Sequence, residues 1–351
     1  MVRVVRATQF EIDTAVQALR NGELVVFPTE TVYGLGAHAG HPAALRRVFE
    51  LKKRPATHPL IVHIDNPRFL PRWAREVPVA ATMLAERFWP GPMTLVLPRA
   101  DNVNTLVTGG QDTVAVRVPA HPMAQQLLTA FGGGLAAPSA NRFGRISPTR
   151  PEHVRDEFGQ STPLILDGGE CKLGLESTIV ACLNGTVRLL RRGAVTLSQL
   201  QRVVGEVLVD APEGTTDETS GELPRVPGSQ RAHYAPSTPV SIVQIDVLEK
   251  MVESMSQSGV RVAVLAMRPP LGTYPLVTWI NAGQRAETYA RTLYAHLRTL
   301  DKGGCARILV QQLPSADERW DAARDRLQRA AAASEQNTTQ PHDSLAVGVL
   351  P

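Results

Sequence analysis

Leu24-Val25-Val26-Phe27-Pro28-Thr29-Glu30-Thr31-Val32-Tyr33-Gly34-Leu35-Gly36 is the stretch on which the reading of the fold turns. Its apolar opening, Leu24 to Phe27, predicts a short buried strand. Pro28 brings no N–H to a ladder, so the strand stops there or lies at an edge. The residues after it set two hydroxyls, a carboxylate, a phenol and bare glycine backbone in a loop at the end of a strand, where a polar ligand is gripped. Standing alone, the stretch is an ordinary strand–turn–helix junction. What lies downstream decides between the two.

Upstream, Ile12, Val16 and Leu19 recur at helical spacing, and Gly22 supplies a stop signal. Downstream, His41-Pro42 opens a helix that ends in the basic run Lys52-Lys53-Arg54-Pro55, and Leu60 to Ile64 predicts a second buried strand. A helix over Val79–Phe88 leads into Trp89-Pro90-Gly91-Pro92. Strands are predicted at 94–97 and 113–118, a helix at 123–131, strands at 164–166, 178–182 and 187–190, and a short helix at 198–204. Short strands interleaved irregularly with helices predict an α/β mixed sheet covered by helices. From Asp210 to Val226 the composition shifts to Gly, Thr, Glu, Ser and Pro, which reads as a linker. Beyond it, strands at 240–245, 260–267, 276–280 and 307–311 alternate with helices at 247–256, 284–300 and 320–333. That alternation predicts a small parallel α/β unit with right-handed crossovers.

At 351 residues the chain is too long for one comfortable core. With 43% hydrophobic and 20% charged residues it has the balance of an ordinary globular protein. Cys171, Cys182 and Cys305 have neither metal-ligand nor redox spacing, which points to a reducing compartment without disulfides. Met1 to Arg6 lacks the apolar core of a signal peptide, and no apolar run is long enough to span a membrane, so a cytoplasmic location is expected. The net charge of +4 and pI near 9.1 suit anionic ligands such as nucleotides or RNA without deciding for them.

Standard signatures fail. There is no Walker-A loop, and Gly34-x-Gly36-x-x-x-Gly40 has one residue too many for a dinucleotide fingerprint. No serine nucleophile elbow, HExxH or Cys/His cluster occurs. What remains is an array of basic and hydroxyl residues at strand ends and in loops. Lys52, Lys53 and Arg54, followed by His58 and His63, read alone as cations at a helix C-terminus. Arg117 in Val114-Ala115-Val116-Arg117-Val118 needs an anionic partner if it points inward, and none if it lies on a solvated edge. Ser139-Ala140-Asn141 fits close ligand approach or a simple Asx/Ser turn. Arg191-Arg192-Gly193 reads first as surface, and His233-Tyr234-Ala235-Pro236 as a docking contact.

Taken in order, Thr29–Gly36, Lys52-x-Arg54, Trp89-Pro90-Gly91-Pro92, Ser139-x-Asn141 and His233-Tyr234-Ala235-Pro236 closely resemble the two-domain threonylcarbamoyl-AMP synthases, over about Ala7 to Ala333. The resemblance implies a YrdC-like catalytic domain over 1–207, of α+β mixed twisted-sheet type. It further implies a linker over 208–238 carrying the His-Tyr-Ala-Pro motif, a smaller Rossmann-like domain over 239–334, and a polar tail over 335–351. The family condenses L-threonine, bicarbonate or carbon dioxide, and ATP into threonylcarbamoyl-adenylate with release of pyrophosphate. A separate tRNA threonylcarbamoyltransferase complex then modifies an adenosine next to the anticodon. By resemblance, Thr31, His63, Arg117, Ser139 and Ser177 line the threonine pocket. Lys52, Arg54, His58, Thr113, Asn141, Thr149, Arg192 and Tyr234 meet ATP, with Arg191 the alternative to Arg192 one position away. Mg²⁺ enters with ATP and mainly through its phosphates and water, no protein ligand being assigned.

This assignment makes chemical sense of the residue types. A fixed arginine gives a carboxylate a bidentate partner, and buried hydroxyl partners reject amino acids that lack threonine's hydroxyl. Attack of a carbamate on the α-phosphorus brings two anions together, so cations and positioning matter more than a general base. On this reading His233 and Tyr234 form a lid that shields a labile anhydride. A competing class is an RNA-binding module for tRNA or double-stranded RNA without adenylation activity; weak tRNA binding is compatible with either. Against the module, the basic residues are scattered among apolar strands instead of forming a stripe. A related carbamoyl-transfer enzyme of hydrogenase maturation would carry zinc-finger and acylphosphatase-like segments, and the sequence has neither.

Overall fold

Prolines and side-chain caps set where the helices begin. Pro42, Pro122 and Pro151 each follow a residue in extended conformation and open a helix, where their missing N–H is not needed. His41 and His121 cap two of these helices by accepting from Ala44 N and Met123 N. Thr8 and Thr196 close capping boxes with Glu11 and Gln199. The computed structural model describes residues 8–209 and 223–338. The middle of the expected linker and most of the expected tail therefore lie outside the described residues.

In chain order the first unit runs α1 (Gln9–Arg20), β1 (Val25–Phe27), β2 (Gly34–His38), α2 (Pro42–Lys52) and β3 (Ile61–His63). It continues through α3 (Val79–Phe88), β4 (Met93–Pro98), α4 (Thr105–Thr108), β5 (Thr113–Arg117), α5 (Pro122–Phe131) and β6 (Leu135–Ala136). Then come α6 (Pro151–Phe158), β7 (Leu164–Ile165), β8 (Thr178–Leu183), β9 (Thr186–Arg191), α7 (Leu197–Val204) and β10 (Leu208–Val209). Ten strands form one mixed sheet in the order β10-β9-β8-β4-β5-β3-β6-β2-β1-β7. Along β1, Val26 joins an apolar cluster with Leu45 and Val48 of α2, while Val25 and Phe27 join one with Leu19 of α1 and Leu127 of α5. A strand buried on both faces has no polar alternation, which is why 24–27 reads as a continuous apolar run.

The strand stops at Phe27, before Pro28. The expected loop is shorter than the sequence implies, because Gly34-Leu35-Gly36 belong to β2. They pair antiparallel with β1 in the register Val25↔Gly36, Phe27↔Gly34. Bare backbone serves the neighbouring ring here: a Cβ on Gly36 would stand 2.9 Å from the Phe27 ring and 3.1 Å from the Val25 carbonyl oxygen. No apolar periodicity in the sequence marks α6, whose eight residues carry only Pro151, Val154 and Phe158 as a buried face.

The second unit comprises β11 (Val240–Val243), α8 (Ile245–Gln257), β12 (Val262–Ala266), β13 (Val277–Asn281), α9 (Ala286–Asp301), β14 (Arg307–Gln311) and α10 (Asp321–Thr338). Its four strands are all parallel, in the order β11-β14-β12-β13. The tail expected from 335 starts inside α10. Among the described residues no helix is long and apolar enough to cross a membrane. The two units share a core: Val32, Ile146 and Leu175 of the first, and Tyr234 of the connector, pack with Tyr289, Leu293 and Tyr294 of α9.

Candidate active site

The Thr29–Tyr33 loop is fixed by its own hydroxyls. Thr29 Oγ1 accepts from the N–H groups of Thr31 (3.1 Å) and Val32 (3.2 Å) and donates to the Val32 carbonyl (2.7 Å). The two threonine hydroxyls also lie in hydrogen-bond contact at 2.7 Å. Thr31 Oγ1 in turn accepts from Arg117 Nη1 at 2.9 Å. Tyr33, fully buried, donates to the Gly169 carbonyl (2.7 Å) and accepts from Gly168 N (3.1 Å), tying the loop's far end to residues 168–169.

Arg117 ends β5 and points inward. Nη2 meets Glu30 Oε1 at 2.5 Å, Nε donates to the Gly91 carbonyl at 3.2 Å, and Glu30 Oε2 accepts from Ala120 N at 2.9 Å. Three of the five guanidinium N–H groups are thereby engaged, leaving one on each terminal nitrogen. His63 stands beside Arg117 in the β3–β5 register, its Nδ1 donating to the Ile61 carbonyl at 3.2 Å. Burial, aided by the Arg117 charge, pushes its pKa down to about 3, so the ring is neutral.

A cavity opens over these groups, and its wall includes Thr31, His63, Arg117, Ser139 and Ser177 together with Arg54 and Arg191. The two further arginines differ from Arg117 in lacking a carboxylate partner among the described residues. Arg54 Nη2 donates to the Pro59 carbonyl (2.8 Å), its guanidinium lies 5.6 Å from the Phe143 ring centre, and its buried Nε has no partner. Burial lowers its pKa to about 10. Arg191 Nη2 donates to Ser177 O (2.9 Å) and Oγ (3.1 Å), Nε to Ser177 O (3.1 Å), and Nη1 to the Pro227 carbonyl (2.7 Å). Lys52, also buried, is held by the carbonyls of Ser139 (2.6 Å) and Asn141, and burial depresses its pKa. Arg54 and Arg191, buried with no carboxylate within ion-pair distance among the described residues, suit an anionic ligand.

The connector covers this space. Arg191 anchors it at Pro227, and Gly228 follows at φ +78°, where a Cβ would fall 1.8 Å from the Tyr234 hydroxyl. Tyr234, itself at φ +60°, and His233 are both buried and line the cavity. The His233 ring stands edge-on to Phe143 (5.6 Å) and Tyr234 (4.1 Å).

All five residues expected at threonine line the cavity, as do Arg54 and Tyr234 from the set expected at ATP. Lys52 and Asn141 lie behind the wall: Asn141 Nδ2 donates to the Arg142 and Arg145 carbonyls (2.7 and 2.9 Å), and its buried Oδ1 has no partner. His58 faces the connector, 3.3 Å from Gln230 Nε2 and edge-on to Phe143. Thr113, at the start of β5, and Thr149, 3.4 Å from His153 Nδ1, are not in the wall. Nor is Arg192, which ion-pairs with Asp321; the cavity's arginine is Arg191. A bulge makes the difference. Val180 pairs with Leu189 but Ile179 with Arg191, so Leu190 is an extra residue and Arg191 shares the face of Ile179 and Ile61. Glu176, for which no sequence motif signals a role, is also among the residues of the cavity wall.

Neutral buried histidines make the fold acid-sensitive. His63 and His233 both titrate at about 3 when folded, chiefly through burial, against an ordinary value of 6.5. The unfolded chain therefore binds more protons between those values, and stability is lost as pH falls through 6.5. Each ring contributes roughly 1.4 kcal/mol per pH unit in that window. Thermal unfolding at pH 7 and pH 5 checks this: a clearly lower melting temperature at pH 5 is expected, and equal ones would refute it.

The fold and the cavity together define an α/β protein in which a large mixed-sheet unit and a small parallel-sheet unit close over one cation-rich pocket. Two family models match it: one described as telomere recombination over residues 17–193, and the threonylcarbamoyl-AMP synthase C-terminal domain over 195–332. The chain is 40% identical over 313 residues to a threonylcarbamoyl-AMP synthase of Pyrococcus abyssi, covering 87% of this chain and 90% of that one. Identity to a threonylcarbamoyl-AMP synthase of Bacillus subtilis is 39% over 309 residues, or 87% and 88% of the two chains. The crystal structure of the P. abyssi protein Sua5 complexed with L-threonine matches with a TM-score of 0.85 at 38% identity, over 94% of this chain and 96% of that one. The chain belongs to the threonylcarbamoyl-AMP synthase family.

Proposed function

We propose that this chain condenses L-threonine, bicarbonate or carbon dioxide, and ATP into L-threonylcarbamoyl-AMP, releasing pyrophosphate. The observation that carries the reading is one cavity with two kinds of cation. Arg117 is oriented by Glu30 and Thr31 and keeps two N–H groups free, the geometry that receives an amino-acid carboxylate. Arg54 and Arg191 are buried without a carboxylate, the setting that receives phosphates. A relative's structure holds L-threonine, which fits the first kind.

The threonine amine attacks the carbon of carbon dioxide and loses a proton, giving a carbamate. A carbamate oxygen then forms a bond to the α-phosphorus, while the bond from that phosphorus to the bridging oxygen breaks and pyrophosphate leaves with the electron pair. Both partners are anions, and Arg54 and Arg191 offset their repulsion without reorganising. Lys52 stiffens the Ser139–Asn141 turn from behind. Mg²⁺ would arrive as the ATP complex, bound through phosphate oxygens and water. Among the described residues, no three His, Cys, Asp or Glu side chains cluster as a metal site. His233 and Tyr234 roof the cavity and limit water access to the mixed anhydride. Its acyl group would pass to a tRNA-modifying transferase complex, and the three buried free thiols suit a reducing cytoplasm.

Pyrophosphate release from ATP and bicarbonate, with and without L-threonine, tests the reading. Release is expected to require threonine, with alanine poorer by a factor of about 10⁴ because it leaves the site's hydroxyl partners unpaired. Release indifferent to threonine, or equal with alanine, would sink it.

A further inference from the structure

The second unit reaches into the site through side chains of α9 and α10. Arg326 of α10 is the largest fully buried side chain in the described protein. Its Nε donates to Glu176 Oε2 at 2.8 Å, Nη2 donates to the Arg192 carbonyl at 3.0 Å, Nη1 pairs with Asp325, and the guanidinium lies 4.9 Å from the Tyr234 ring centre. Tyr294 of α9 donates to the same carboxylate (3.0 Å to Oε2) and stacks on Tyr234 at 6.0 Å. Ser147 supplies a third donor at 2.5 Å. Glu176 is thus held by two donors of the second unit and by Ser147 of the first, although it lines the cavity next to Ser177.

Arg191 grips that same Ser177, yet its own partners are carbonyls and one hydroxyl, not the carboxylate one residue away. Burial by itself would raise the Glu176 pKa; the charges of Arg326 and Arg191, with bonds from Ser147 and Arg326, hold it down to about 2. Glu176 is therefore an anion beside an arginine that the reaction needs uncovered. We propose that Arg326 and Tyr294 are positioning residues that sequester Glu176, keeping the cavity-facing cation of Arg191 open for ATP phosphate. The second unit is then part of the ATP site without touching ATP. This rests on the ATP reading given above.

Without Arg326, Glu176 loses its charged partner and turns to the remaining cation, Arg191. In the full-length Arg326→Gln variant the ATP Kd is expected to rise about tenfold, the effect of masking one arginine–phosphate contact. Threonine Kd is expected to move less than about twofold, because Arg117 has its own carboxylate partner. The deciding variant is Arg326→Gln with Glu176→Gln: with no carboxylate to mask Arg191, ATP affinity should return to within about threefold of native. Tyr294→Phe, which keeps the ring stack and removes one donor, should weaken ATP binding by a smaller factor and leave the fold intact. Calorimetric titration of ATP, with circular dichroism to check folding, reads all arms. Unchanged ATP affinity in folded Arg326→Gln and Tyr294→Phe, or a double variant no better than the single, would overturn the proposal. A native chain that bound no ATP would instead overturn the function reading, and this one with it.

Discussion

Arg117→Ala is expected to abolish threonine-dependent pyrophosphate release and to destabilise the fold, and adding Glu30→Gln to restore only the second. The two effects have separate causes. Arg117 and Glu30 are both buried and meet at 2.5 Å, so removing the arginine strands a carboxylate away from water. Breaking a buried pair from one side costs about 3–5 kcal/mol. Glu30→Gln removes that stranded charge while its amide oxygen still accepts from Ala120 N, as the carboxylate does at 2.9 Å. The double variant should regain most of the lost melting temperature. It regains no threonine grip, because the two unspent N–H groups are gone with the side chain, and kcat/KM for threonine should stay about 10³-fold or more below native. Arg117→Lys retains the charge but offers no planar fork, and should sit between native and alanine. If the double variant recovered activity together with stability, Arg117 would be a structural residue only.

Much of this site was legible in the chain because strand ends announce themselves. The apolar run before Pro28 gave β1, and Val79–Phe88 and Arg307–Gln311 were read to the residue. An arginine closing an apolar strand left two options, and the buried Glu30 partner decides for the inward one. Other features were not local. Whether Arg191 or Arg192 enters the cavity depends on a bulge at Leu190, which is set by pairing with β8 and leaves no mark in the composition of β9. Arg326 lies in an alanine-rich helix, and its partner Glu176 is 150 positions away. Gly34 and Gly36 looked like a ligand cradle because glycine signals close approach without saying what approaches; here it is the ring of Phe27.

Arg54→Met should raise the melting temperature of the ligand-free protein and at the same time ruin its use of ATP. Opposite signs in one variant are the mark of a group retained for function at the expense of the fold. Arg54 is buried, has no carboxylate within ion-pair distance among the described residues, leaves Nε unbonded, and is held by one carbonyl and an aromatic ring. Its charge also weighs on Lys52 and His58, whose pKa values it helps to lower. Methionine fills the space of the stem without the charge and relieves both. The loss of the bond to Pro59 offsets part of this, and the net gain is about 1–2 kcal/mol, or roughly 2–6 °C. On the proposed function ATP brings the anion that faces Arg54, so ATP should raise the native melting temperature strongly and that of the variant little. The ATP Kd is expected to rise about 100-fold, the loss of one charge-assisted, partly desolvated contact to phosphate. Thermal melts with and without ATP, run beside calorimetry, give both numbers from one preparation. A variant that was both less stable and unimpaired in ATP binding would place Arg54 with the structural residues and move the triphosphate away from this wall.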